Sequence, residues 1–152
     1  MNRWAAVAGL LGILGCNTVD QGENFVPPNL QLSEDFFYCQ IQPRVIAAGT
    51  CASGAMGEAG SCHSSKSPLR LDPDGETAVP PECTPDNVVT GPVAPSYVDN
   101  YDSLLYTVQN DPLNSPIYRK MTGHDGHPRT IFPEGSAEAD LIIEWITMGG
   151  AM

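Results

Sequence analysis

We predict an all-α fold of three to four short helices joined by long loops. Apolar residues recur at the spacing of an amphipathic helix in several short segments. Capping residues precede these segments, and glycines follow most of them. Alternating β-branched residues, which would indicate strands, are scarce, and the sequence contains no internal repeat.

The first helix is predicted to begin after Ser33, whose hydroxyl can cap it. Leu32 and Phe37 are spaced to pack as a hydrophobic staple across this start. Pro43 removes a backbone donor and disfavours helical geometry at the preceding residue, so we expect a kink or an early end there. The apolar face of this helix contains Phe37, Ile41 and Val45.

The middle of the chain predicts two further helices. One spans about residues 97–110 and ends before Pro112. The other follows Ser115, has Pro116 at its first helical position, and stops at Gly123. The apolar side of the longer helix contains Tyr101, Leu104, Leu105 and Val108.

The last segment predicts the clearest helix, which should pack against the core. Ser136 can cap its start, Glu138 and Asp140 lie near the positive end of its dipole, and Gly149 and Gly150 terminate it. Its apolar stripe contains Leu141, Ile142, Trp145 and Met148.

The N-terminal residues predict a targeting segment. Residues 1–15 combine a positive charge at Arg3 with an apolar stretch too short to span a bilayer. They lead into the letters ILGC, which resemble the lipobox of bacterial lipoproteins. We therefore expect a lipoprotein signal peptide, cleavage before Cys16, and lipid attachment to Cys16; the alternative is an ordinary secretory signal with a coincidental cysteine.

The rest of the chain predicts a tether and one domain. Residues 16–31 are polar and contain Pro27 and Pro28, which indicates a flexible lipidated tether. Residues 32–152 suffice for one well-buried domain, which carries a proline-rich insertion at about residues 72–95. In enterobacterial lipoproteins a residue other than aspartate after the lipidated cysteine usually directs the protein to the outer membrane. We expect a lipid anchor in the bacterial cell envelope, at the outer membrane, facing the periplasm or the exterior.

The chain is strongly acidic, with 7 Lys and Arg against 18 Asp and Glu. Cleavage after residue 15 also removes Arg3, which leaves a formal charge of −12. Because nucleic acids present phosphates, this charge argues against nucleic-acid binding. It could steer a basic redox partner, although such an acidic surface more often maintains solubility.

The most informative motif is the adjacent pair Cys62 and His63, with Cys51 upstream across a ten-residue spacer. In c-type cytochromes two cysteines bond to the haem vinyl groups, and the histidine after the second cysteine ligates the iron. The spacer is rich in glycine, and lengthening such a loop from two to ten residues costs only about 1.4 kcal/mol. We therefore predict haem c attachment through Cys51 and Cys62, with His63 as an axial ligand.

With these motifs the chain resembles the small single-haem cytochrome c domains of bacterial envelope lipoproteins. The resemblance covers roughly residues 36–151 and is carried by IQPRVI, CHSSKSPLRLD, SPIYRKMTGHDGHP and LIIEWITMGG. The long spacer and the insertion around Cys83 depart from the family pattern. The resemblance implies a cytochrome c-like fold whose first and last helices cross, and it implies electron transfer as the function.

The second axial ligand must come from the second half of the chain, where Met121, His124 and His127 are candidates. In the related domains a histidine after the LYRK-like helix and a glycine often fills this place, which favours His127. Met121 would raise the reduction potential, and an open position would allow small-ligand binding. Residues that could form pocket walls, or equally the core, are Trp145, Phe37 and Tyr118.

The cysteines leave two hypotheses open. If haem takes Cys51 and Cys62, then Cys39 and Cys83 can form a disulfide in the oxidising envelope. Without haem, two disulfides would stabilise a cytochrome-like structural or interaction domain, one between Cys51 and Cys62 and the other between Cys39 and Cys83.

Two further classes find little support. His124 and His127, with His63 or a thiol, could hold zinc or copper, but their spacing lies in a predicted turn. The sequence lacks a GxSxG elbow and an HExxH helix, so we expect no catalytic triad and no enzymatic activity.

Overall fold

The computed structural model describes residues 30–54 and 62–150. The first helix, α1, begins as the α-helical turn Glu34–Phe36 and continues directly as Phe37–Ala47 in wider, π-type turns. The other main helices are α2 (Pro95–Leu105), α3 (Pro116–Met121) and α4 (Ala137–Gly149). Short turns of helix lie at Cys62–Lys66, Pro73–Glu76 and Pro112–Asn114. Among the described residues the one strand-like pairing is a bridge between Cys83 and Val89, so the all-α class is confirmed.

Two predicted helix starts are confirmed by their caps. The Ser33 hydroxyl accepts a hydrogen bond from the Phe36 N–H at 3.1 Å, and the Ser136 hydroxyl accepts one from the Ala139 N–H at 3.2 Å. Each bond satisfies a backbone donor that the first helical turn leaves unpaired.

The expected break at Pro43 does not occur, because α1 continues through it to Ala47. The wider π-type turns give the proline ring room that an α-helical turn lacks. Val45 and Ile46, which follow the proline, are completely buried. Burial of these side chains stabilises the helix beyond the point where the local rule would end it.

The two middle helices differ from prediction in detail. α2 ends at Leu105, five residues before the predicted end, and Thr107 donates from both its N–H and its hydroxyl to the Leu104 carbonyl. Ser115 lies at the cap position of α3, but its hydroxyl bonds to the 107–109 segment instead. Gly123, with φ of +89°, follows α3 as predicted.

The core forms where α1, α2 and α4 meet. The ring of Phe37 lies 5.3 Å from the rings of both Tyr101 and Trp145, centroid to centroid. The Trp145 indole donates to the Ser33 carbonyl at 3.0 Å, and the Tyr101 hydroxyl donates to the Leu32 carbonyl at 3.0 Å. The predicted stripe on α4 is buried except for Met148, which is 42% exposed.

The proline-rich insertion is tied to the helices. The predicted disulfide between Cys39 and Cys83 is present. Completely buried Gln42 of α1 donates to the Gly75 carbonyl at 2.9 Å. Completely buried Asn100 of α2 accepts from the Asp72 N–H at 2.6 Å and donates to the Gln42 side chain at 3.2 Å. The start of the insertion is therefore part of the interior.

Several predictions concern residues that the structure does not describe. The signal peptide, Cys16, most of the tether and residues 55–61 of the spacer lie outside the described residues. Within the part of the chain that is described, no helix has the length and apolar character needed to cross a membrane.

Candidate functional site

A pocket of about 560 Å³ lies among the segment after α1, the Cys62–Lys66 turn, α2, α3 and the loop after α3. This volume falls within the roughly 300–1,000 Å³ typical of cofactor and small-molecule sites. Its apolar lining includes Leu69, Leu71, Leu104, Ile117, Met121 and Ile131. Such a lining suits a large, mainly apolar ligand.

Both motif cysteines lie at the wall of this pocket as free thiols. The His63 N–H donates to the Cys51 carbonyl at 3.1 Å, and the Ser64 N–H donates to the Ala52 carbonyl at 3.2 Å. These bonds align the two segments despite the long spacer between them. The bond between Cys51 and Cys62 that the haem-free hypothesis expects is not present.

The environment of Cys51 keeps its thiol neutral. The residue is 5% exposed, and burial raises the pKa of the Cys51 thiol to about 12. The positive charge of Arg129 opposes this shift. At neutral pH the Cys51 sulfur therefore carries its proton.

His63 also lines the pocket, and its hydrogen bond fixes its tautomer. Its Nδ1 lies 2.6 Å from the Ser67 hydroxyl, which donates its own proton to the Leu69 carbonyl at 2.7 Å. The hydroxyl must then accept from Nδ1–H, which leaves Nε2 unprotonated. Burial lowers the pKa of His63, and the nearby His127 lowers it further.

His127 lines the same pocket in the same tautomer. Its Nδ1 lies 2.6 Å from the Arg129 carbonyl, which can only accept, so Nδ1 carries a proton, and in the neutral ring the free lone pair is on Nε2. A bidentate ion pair from Arg119 to Asp125, at 2.7 and 2.6 Å, braces the loop before His127. Bonding of the second ring nitrogen to a carbonyl or hydroxyl is the usual way proteins orient a metal-binding histidine.

The two imidazoles are arranged as a pair. Their ring centroids lie 6.1 Å apart, and their planes differ by 10°. Two imidazoles that ligate one metal ion from opposite sides, with metal–nitrogen bonds of about 2.0–2.1 Å, have centroids roughly 6 Å apart. The centroids of His63 and His127 have this separation, and the two rings are stacked.

The other candidate ligands are placed differently. Met121 lines the pocket and is 8% exposed. His124 is not among the lining residues; its Nε2 lies 2.7 Å from a carboxylate oxygen of Glu134 at the surface. Nowhere in residues 30–54 and 62–150 do three or more His, Cys, Asp or Glu side chains form a cluster that could hold a metal ion alone. The described part of the chain thus gives the zinc or copper hypothesis no site.

Three residues suggested as pocket walls lie elsewhere. Phe37, Tyr118 and Trp145 are buried in the core cluster and are absent from the pocket lining. The structure supports the alternative stated for these residues, that they form the core. The aliphatic residues of the loops and of α3 form the walls in their place.

Some residues of the site were not predicted from the sequence. Lys120 and Arg129 line the pocket, and no Asp or Glu does so among the described residues. Ser67, four residues after His63, was detectable as a hydroxyl at helical spacing. Arg129 carries no local signal, since its guanidinium contacts the Gly49 and Thr50 carbonyls, 80 and 79 residues away in sequence.

No protein-family model, curated protein or solved structure matches this chain. The site is therefore interpreted from its own geometry.

Proposed function

We propose that this protein is a c-type haem protein with a cytochrome c-like fold that transfers electrons in the cell envelope. One observation carries the proposal: a single apolar pocket brings together Cys51, Cys62, His63 and His127. The motif predicts the first three, and His127 joins them from a loop 64 residues after His63. Such a convergence suits a ligand held by two sulfurs and two imidazoles.

Each residue has a distinct role in this proposal. The thiols of Cys51 and Cys62 attach the haem, and the Nε2 atoms of His63 and His127 ligate the iron. The hydrogen bonds at Nδ1 orient both rings and raise their basicity as ligands. Lys120 and Arg129 complement the negative charge of the haem carboxylates.

The bound haem would supply a one-electron couple between ferrous and ferric iron. Two protein ligands leave no open position for a substrate, which favours electron transfer over catalysis. Histidine at the sixth position gives a lower reduction potential than methionine, so we propose a low-potential centre.

The cellular setting is part of the same proposal. Lipid on Cys16 would hold the domain at the envelope membrane, and the formal charge of −12 after cleavage argues against nucleic-acid partners. A redox protein is the partner that an electron carrier requires.

The first test is covalent haem itself. The full chain is expressed in a host with haem-ligation machinery and analysed by haem peroxidase stain after a denaturing gel. We expect a stained band and a Soret absorbance that His63→Ala abolishes. A colourless wild-type band whose four domain thiols are all in disulfides would instead establish the haem-free class.

The second test separates the candidate sixth ligands. His127→Ala should keep the covalent haem but convert a six-coordinate, low-spin spectrum into one that binds added imidazole or carbon monoxide. His124→Ala is the matched control, because His124 faces Glu134 at the surface. If Met121→Leu causes the conversion and His127→Ala does not, the assignment of His127 is wrong.

A further inference from the structure

The carboxylate of Glu76 contacts the segment that carries Cys51. It accepts hydrogen bonds from the Ala52 N–H at 2.6 Å and the Ser53 N–H at 3.2 Å, and a short one from the Ser53 hydroxyl. These groups lie 23 and 24 residues away in sequence. One charged side chain therefore fixes the two residues that follow the first motif cysteine.

Glu76 is itself rigidly held. It ends the helical turn Pro73–Glu76, whose Gly75 is buried and accepts from Gln42. That turn follows Asp72, whose N–H donates to Asn100. The Glu76 carboxylate thus contacts the Cys51 segment from a helical turn that hydrogen bonds to α1 and α2 hold in place.

Arg129 holds the residues just before Cys51. Its guanidinium donates to the Gly49 carbonyl at 2.7 Å and to the Thr50 carbonyl at 3.2 Å. Thr50 has a positive φ of 48°, so the chain turns sharply before the cysteine. The Arg129 guanidinium therefore holds the two residues before Cys51, and the Glu76 carboxylate holds the two residues after it.

The contacts of Glu76 and Arg129 with the Cys51 segment matter because of the long spacer. With a short spacer, the second cysteine restricts where the first can lie. With ten intervening residues, including Gly54, Gly57 and Gly60, chain connectivity restricts Cys51 only weakly. Contacts outside the spacer must then place its sulfur: the His63 and Ser64 N–H groups bond to the Cys51 and Ala52 carbonyls, and Glu76 and Arg129 hold the same segment as well.

We propose that Glu76 is a positioning residue that holds the Cys51 thiol for haem attachment in place of a short spacer. The proposal rests on the proposed function. In the attachment, the thiol S–H adds across a vinyl C=C bond: sulfur bonds to the inner carbon and hydrogen to the outer one. The addition is redox-neutral and releases no leaving group. The proline-rich insertion, which supplies Glu76, thereby contributes to the site.

The test counts thioether bonds per haem in the full chain. Wild type, Glu76→Ala, Glu76→Gln and Glu82→Ala are expressed with haem-ligation machinery, digested and analysed by mass spectrometry. In wild type we expect one haem to join the Cys51 and Cys62 peptides. In Glu76→Ala we expect the ratio of doubly to singly attached haem to fall about tenfold, as befits lost hydrogen bonds to a charged acceptor. The Cys51 thiol should then react with an alkylating agent in haem-containing chains.

Two variants make the result specific. Glu82→Ala removes an exposed carboxylate from the same insertion and should match wild type. Glu76→Gln keeps an acceptor oxygen for the Ala52 N–H and should recover most of the double attachment. Because only haem-containing chains are counted, and Glu76→Gln is nearly isosteric, a folding defect of Glu76→Ala does not decide the test.

Wild-type double attachment in Glu76→Ala, or loss in Glu82→Ala equal to that in Glu76→Ala, would overturn the role of Glu76. Absence of haem from wild type would overturn the proposed function instead. Failure of the proposed function would therefore appear in wild type, whereas failure of the role of Glu76 would appear only in the variants.

Discussion

At both pocket histidines, a single neighbouring oxygen decides which ring nitrogen is available to a ligand. Ser67 holds His63 and the Arg129 carbonyl holds His127, each at 2.6 Å from Nδ1. Sequence adjacency to Cys62 made His63 predictable. The resemblance favoured His127 over Met121 and His124, but the pairing of the two rings depends on tertiary contacts that no local pattern encodes.

The buried thiol of Cys51 yields a prediction for the haem-free protein. Because its pKa is raised to about 12, very little thiolate is present at pH 8. An ordinary cysteine has a pKa of about 8.5, so Cys51 should react with iodoacetamide about a thousandfold more slowly. We expect the rate to rise with pH past 10, beyond the point where an ordinary thiol levels off.

Quantitative mass spectrometry of the alkylated peptides measures both thiols in one sample, with half-buried Cys62 as the internal control. Unfolding in urea should make the two rates similar. Equal rates in the folded protein would show that Cys51 is not buried as described.

Among the helices, the starts of α1 and α4 and the end of α4 were predictable, and the ends of α1 and α2 were not. Ser33 and Ser136 cap through bonds that span three residues, so the sequence alone contains the whole interaction. The course of α1 past Pro43 depends on burial of Val45 and Ile46 by other elements. Met148 has the correct helical period but lies at the surface, because no element of the described chain covers it.

The loop after α3 gives a prediction at this scale. Gly123 has a positive φ, and a Cβ there would collide with the Thr130 hydroxyl oxygen. Gly123→Ala should cost about 1–2 kcal/mol from the backbone conformation alone, and more from the collision. We expect a lower free energy of unfolding and a displaced His127.

Gly126→Ala is the matched variant. Gly126 also has a positive φ, of 69°, but nothing lies within 4 Å of its added Cβ. Gly126→Ala should therefore lower the free energy of unfolding only by the cost of the backbone conformation, without the collision. Urea unfolding of both variants measures the difference, and equal losses would contradict the predicted role of Thr130.

For the whole molecule, the insertion is a structural part of the domain rather than an appended loop. The sequence indicated Cys83 as a tie, because an even number of cysteines in an envelope protein suggests disulfides. It did not indicate that Gln42 and Asn100 are buried. Polar residues on predicted helices usually face solvent, and these two are interior only because the insertion supplies their partners.

The disulfide gives the prediction at this scale. It joins residues 44 apart, and the chain-entropy relation for a loop of that length gives about 4 kcal/mol of stabilisation. The double variant Cys39→Ala, Cys83→Ala should unfold at a correspondingly lower urea concentration than wild type. Val79→Ala, at an exposed position of the same insertion, is the control and should unfold like wild type. Unchanged stability of the double variant would show that the remaining contacts suffice.

The junction at residues 31–33 has a mechanical consequence. The Gln31 N–H donates to the Gly149 carbonyl at 3.2 Å, and the next two carbonyls accept from Tyr101 and Trp145. Tension applied through the preceding chain would be shared between the second and fourth helices before it reached the loops around the pocket. A pulling force at this end should thus rupture the helix packing first, and leave the pocket side chains of Cys51, Cys62, His63 and His127 undisturbed at loads below that threshold.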